Sequence, residues 1–155
     1  MCSDDIEVRF FGPRNESFAD KIEQHELSNI VHQFGVVPRD VSYEKQRESQ
    51  ILLLMKWEDA KQQVCTGKIF EYFGAGRPIL ATGGYHDVVS ELLFETSAGI
   101  DAPNIEDIKS ALKGYYEDYK RNGEVSYQGK MEMINKYSYR EMARKYADIL
   151  EEINQ

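Results

Sequence analysis

Short apolar runs alternate with amphipathic stretches along this chain, and their order predicts strands alternating with helices. Ile6 to Phe11 alternates and then runs apolar as far as Gly12-Pro13, which predicts a first strand. Phe18, Ile22 and Leu27 then recur at loosely helical spacing between about Ser17 and Leu27. Asn29 to Gly35 reads as a second strand and Gly35-Val36-Val37-Pro38 as a turn, after which Asp40 is placed to cap a short helix to about Glu48. Gln50 to Lys56 is an uninterrupted apolar run between polar flanks, the pattern of a parallel strand covered on both faces. Trp57 stands at the exit of that strand, where ligands of doubly wound folds bind, although covering a sheet end is the commoner role for such a residue.

The next stretch, Cys65 to Gly84, combines a loop, a short helix, a turn and a strand. Thr66-Gly67 lead into the helical pattern, Gly76 suits the left-handed position that closes a helix, and Pro78 cannot continue one. Ile69, Phe70, Tyr72 and Phe73 are expected to pack inward, and Ile79 to Ala81 forms a fourth strand. Gly83-Gly84 opens a turn, Asp87 caps a helix through Phe94, and Ala98 to Asp101 gives a weak fifth strand. Asn104 starts a helix with Ile105, Ile108, Leu112, Tyr115 and Tyr119 on one face, ending at Asn122-Gly123. A further helical stretch covers about Tyr127 to Lys136. Ser138 and Glu141 form a capping box for a last helix, whose stripe of Met142, Tyr146, Ile149, Leu150 and Ile153 is expected to join the core. The pattern predicts one α/β domain over 1–155, with a mainly parallel sheet of about five strands between helical layers and a helical extension over 123–155.

Composition narrows the function classes. With 155 residues, 41% of them hydrophobic, the chain can bury a core. A net charge of −8 argues against nucleic acid as a partner, and two cysteines supply neither a disulfide framework nor a metal-ligand spacing. No metal and no cofactor is expected. A reducing cytoplasm fits, since the first residues are polar and acidic and the longest apolar run, Ile51 to Met55, is too short to span a bilayer. Cys65 reads as a small buried thiol rather than a nucleophile. His25 and His32 read as surface or strand residues, and His86 as polar lining near a pocket.

Lys68 and Glu71 carry the most chemistry. They lie three apart at the start of the short helix, on a face whose other members, Gly67, Gly74 and Ala75, are too small to cover them. A cation in a first turn opposes the helix dipole, so Lys68 there needs a reason. Amides left open at a helix start, a flexible glycine and a lysine together suit phosphate. The same spacing also suits a solvated Lys-Glu pair.

The block T-G-K-I-F-E-Y-F-G-A-G-R-P-I-L-A-T resembles the donor-binding, C-terminal half of a GT-B retaining glycosyltransferase of the glycosyl transferases group 1 type. I-E-V-R-F-F-G-P, N-I-V-H-Q-F-G-V-V-P, A-T-G-G and A-G-I-D-A-P follow the family's order of segments more weakly. The resemblance implies a Rossmann-like fold and a nucleotide-diphosphate sugar as substrate. It also implies transfer to a hydroxyl acceptor with retention of configuration and without metal, in polysaccharide or glycan biosynthesis. It places the backbone amides of Thr66, Gly67 and Lys68 on the diphosphate, Glu71 on the ribose hydroxyls, and Val36 and Val37 near the base. Gly83-Gly84 allows close backbone approach to a ligand. Many members have a glutamate where this chain has Gln63, which can hydrogen-bond a sugar but brings no charge to the anomeric carbon.

The family's first strand and helix, with their basic diphosphate clamp, and its N-terminal acceptor-binding domain have no counterpart here. The expectation is therefore a domain fragment that turns over slowly or not at all alone. The resemblance leaves room for peripheral membrane association of the full protein and for a homodimer through exposed ends. Two rivals stand beside it: half of a nucleotide-sugar 2-epimerase, and a non-enzymatic flavodoxin-like module docking through its last helices.

Overall fold

The structure is a computed structural model that describes residues 5–56 and 65–153. It is an α/β protein with five parallel strands and seven helices among the described residues, the strands divided between a two-stranded and a three-stranded sheet. The chain groups into two compact units, Met1–Glu48 and Ser49–Gln155.

In the first unit, β1 (Val8–Phe11) pairs in parallel with β2 (Val31–Gly35), with an irregularity between Phe10 and Phe11. The connecting helix α1 (Glu16–Gln24) is shorter than its apolar spacing suggested. Asn15 caps it by accepting from the Phe18 amide at 3.0 Å, and Gln33 ties that cap to β2 through bonds of 3.0 and 3.2 Å. Phe10 meets Phe18 edge-on at 4.9 Å, and Ile22 is buried. Helix α2 (Arg39–Glu48) already includes Asp40, which therefore sits in the first turn as an acid favoured by the dipole and is not the cap.

The second unit holds the larger core. Strands β3 (Leu52–Met55), β4 (Ile79–Thr82) and β5 (Gly99–Ala102) lie side by side in sequence order. Parallel neighbours need crossover connections, here α3 (Lys68–Ala75) and α4 (Val88–Thr96). Alternation along β4 sorts the two faces. Ile79 and Ala81 join Leu54, Ile69, Phe73, Val89, Leu92 and Leu93 on the α3/α4 side. Leu80 packs with Ala102 and Ala111 on the other side, under α5 (Ile105–Asn122). This unit is thus a three-layered, Rossmann-like α/β/α arrangement. Gly99 is required where β5 meets β4, since a Cβ there would lie 1.9 Å from the Ile79 carbonyl oxygen.

Several boundaries follow the pattern closely. Gly76 closes α3 with φ of 65°, Asp87 and Ser90 form a reciprocal capping box on α4, and Asn104 and Gly123 bound α5. Other expectations are corrected. On α5, Ile108, Leu112 and Tyr115 pack inward, but Ile105 and Tyr119 are exposed. Phe70 is 40% exposed, although Ile69 and Phe73 are buried. Only α6 (Met131–Asn135) is helical within 127–136, and Val125 and Ile134 on either side of that irregular path are buried. The last helix, α7 (Tyr139–Ile153), buries none of its residues among those described. Its apolar stripe does not join the core.

Two tyrosines link this packing to pH. Burial pushes the Tyr115 phenol up to about 12, and a 2.6 Å hydrogen bond to Glu95, aided by burial, does the same for Tyr137. Folding favours the protonated phenol in both. The stability they contribute is intact below their ordinary value of 10.0 and is lost as the pH rises toward about 12. Unfolding midpoints should therefore fall between about pH 10 and 12, and spectrophotometric titration should show phenols ionising late and together with unfolding.

Candidate functional site

In a parallel sheet every strand points its carboxyl end to the same edge, and the helix that follows starts there. In the second unit that edge collects the ends of β3, β4 and β5 and the starts of α3, α4 and α5. Ligands of open α/β sheets bind outside this edge.

At the start of α3, Gly67 is the N-cap and makes no side-chain capping bond, so no side chain competes for the helix's first amides. Lys68 Nζ donates to Glu71 Oε2 at 2.8 Å, with the two side chains 45% and 34% exposed. Glu71 is therefore accessible, and its Oε1 accepts no hydrogen bond among the described residues. The lysine also stands 5.9 Å over the Tyr72 ring. Tyr72 anchors the helix by donating to the Leu53 carbonyl at 3.2 Å, and burial followed by the Glu71 charge raises its pKa. Ile69 and Phe73 fix the opposite side of the helix in the core, which leaves the Lys68–Glu71 face turned outward.

The same edge holds a cluster that the sequence pattern did not single out as chemistry. Lys56 follows β3 directly, and its side chain is only 1% exposed. Its ammonium lies 2.7 Å from Asp101 Oδ1, 2.8 Å from the Tyr85 carbonyl, 3.1 Å from Ser90 Oγ and 3.6 Å from Asp87 Oδ1. Ser90 Oγ is 2.6 Å from Asp101 Oδ2 and 3.1 Å from Asp87 Oδ1. One hydroxyl has one proton, and the shorter contact assigns it to Asp101. Ser90 Oγ then accepts from Lys56 and from the Asp87 amide, while Asp87 Oδ1 accepts from the Ser90 amide. Lys56 thereby joins the ends of β3 and β5 to the turn after β4. The available signal was a lysine closing an otherwise apolar run at a strand's carboxyl end.

That turn contains Gly83 and Gly84, with φ of 75° and 67°, a conformation that favours glycine at both positions. Both are partly buried, and the Lys56 bond to the Tyr85 carbonyl holds the segment down. Cys65 lies close enough to Asp87 for its charge to act on the thiol, and burial first, then that charge, raises the Cys65 pKa. The loop before α3 and the turn after β4 are therefore neighbours. A raised pKa makes Cys65 a poor nucleophile. His86, expected to line a pocket, is exposed.

Of the predicted site residues, Thr66, Gly67, Lys68, Glu71, Gly83 and Gly84 thus share the carboxyl edge of the second unit. Val36 is 76% exposed and Val37 is partly buried, both in the turn after β2 of the first unit. Gln63 and Trp57 lie outside the described residues. An open recess of 510 Å³ runs between β5 and α5, lined in part by Asp101, Asp107, Ser110, Tyr115 and Asp118. Three carboxylates make it a poor place for a diphosphate, and neither Lys68 nor Glu71 reaches it.

Among the described residues no group of three His, Cys, Asp or Glu side chains could hold a metal ion, and no helix is long and apolar enough to cross a membrane. No family model matches the chain, and no curated protein matches it significantly.

Proposed function

We propose that the chain is the donor-binding part of a glycosyltransferase that moves a sugar from a nucleotide-diphosphate sugar to a hydroxyl acceptor, in the cytoplasm. The observation that carries this reading is the start of α3: an N-cap without a side-chain cap, with an accessible Lys68–Glu71 pair beside it, at the carboxyl edge of a parallel sheet.

Each part has a distinct task in this reading. The amides of Thr66, Gly67 and Lys68 hydrogen-bond the diphosphate, and the dipole of α3 favours its charge. Glu71 accepts from the ribose hydroxyls. A carboxylate near a phosphate would repel it, and Lys68, already bonded to Glu71, supplies the positive charge that separates the two. As the glycosidic bond breaks, charge grows on the departing diphosphate, and fixed amides stabilise it without reorganising. Gly83 and Gly84 let the neighbouring backbone come close. Val36 and Val37 as base contacts and Gln63 as a sugar contact rest on the family resemblance alone.

A thermal-shift panel of UDP, GDP, ADP and a flavin mononucleotide tests the class of ligand. One of the three nucleoside diphosphates should raise the midpoint by about 5–10 °C at a hundredfold excess over its Kd. A shift with the flavin alone, or with none of them, would end this reading.

A further inference from the structure

The apolar stripe of α7 has no cover from its own chain among the described residues. Tyr139, Met142, Tyr146, Ile149 and Ile153 are 90%, 43%, 65%, 51% and 75% exposed. Their spacing alternates three and four residues, the a/d spacing of a coiled coil, and Leu150, 60% exposed, widens the stripe along one flank. A seam of this kind fits a second helix of the same spacing.

The charges around the seam select the occupant. On the outer face Arg144 is already satisfied by Glu141 and Asp148. Lys145 and Glu152 are different: both are exposed, neither has a partner among the described residues, and they stand seven residues apart on the same flank of the seam. In an antiparallel pair of identical helices the same flank of each copy faces the other. The register that layers Met142 on Ile153 and Tyr146 on Ile149 of a second copy brings Lys145 beside the second copy's Glu152, twice by symmetry. A parallel pair would leave both charges without an opposite. An anionic membrane is a poorer match, because α7 carries four acids against three bases.

We infer that α7 is a self-association surface, on which two copies of this chain pair as an antiparallel two-helix coil. This is independent of what the start of α3 binds. The seam is short, so the dimer belongs at the small end of specific interfaces and forms in the micromolar range. Two-fold symmetry makes the contact close on itself, which predicts dimers and no larger species.

Sedimentation of the full chain over micromolar to submillimolar concentrations tests this, with circular dichroism to show that each variant folds. The parent should pass from monomer to dimer. Ile149→Asp should remain monomeric. Lys145→Glu and Glu152→Lys should each weaken the dimer roughly tenfold, by replacing two attractive contacts with two repulsive ones. The doubly reversed Lys145→Glu/Glu152→Lys chain should recover the parent's Kd. A parent that stays monomeric throughout would overturn the inference and leave the seam for some other partner. So would a dimer indifferent to Ile149→Asp, or one that the double reversal fails to restore.

Discussion

Glu71→Ala is expected to weaken nucleoside-diphosphate binding by about tenfold to a hundredfold while shifting the unfolding midpoint by no more than about 4 °C. A hydrogen bond to a charged group is worth about 1.5–3 kcal/mol, and partial exposure of Glu71 holds the proposed pair of ribose bonds to about the worth of one. Its ion pair with Lys68 is half-exposed and contributes about 0–1 kcal/mol to folding, so little stability goes with it. The variant also frees Lys68 for phosphate. Inorganic pyrophosphate, which has no ribose, should therefore bind the variant at least as tightly as the parent. Calorimetry with both ligands separates the two roles. Equal affinity of parent and variant for the nucleotide would remove Glu71 from the site.

Lys56→Met should destabilise the fold by about 3–5 kcal/mol, the range for breaking a buried pair from one side. The Lys56 side chain is 1% exposed, and its removal would leave Asp101 and Asp87, each 19% exposed, around a buried gap with no ammonium between them. The midpoint should fall by roughly 10 °C or more. Lys56→Arg is not expected to rescue it, because a planar fork cannot reproduce a compact ammonium among Asp101, Ser90 and the Tyr85 carbonyl. Adding Asp101→Asn to Lys56→Met should recover part of the loss by removing the stranded charge. Urea unfolding followed by circular dichroism measures all of these. A loss below about 1 kcal/mol for Lys56→Met would mean that water reaches the cluster.

Local signals in the sequence carried the secondary structure well. Gly76, Asp87, Asn104 and Gly123 act through their own backbone or capping chemistry, which depends on a few neighbouring residues. The start of α3 was legible for the same reason, since Thr66, Gly67, Lys68 and Glu71 lie within six consecutive residues. What could not be read depends on packing between distant segments. Lys56 looks like a polar flank until Asp101, forty-five residues on, is brought beside it. The stripe of α7 has the periodicity of a core helix whether its cover is the same chain or another. The division of five strands into two sheets follows from pairing, which strand patterns alone do not fix.

The central claim is that the start of α3 receives a diphosphate. Amide chemical-shift mapping of the full chain during titration with a nucleoside diphosphate tests it most directly. The largest perturbations should fall on Thr66, Gly67 and Lys68, with Gly83 and Gly84 following, and should saturate together. Saturable shifts confined to the groove between β5 and α5, or no shifts at any concentration, would contradict it.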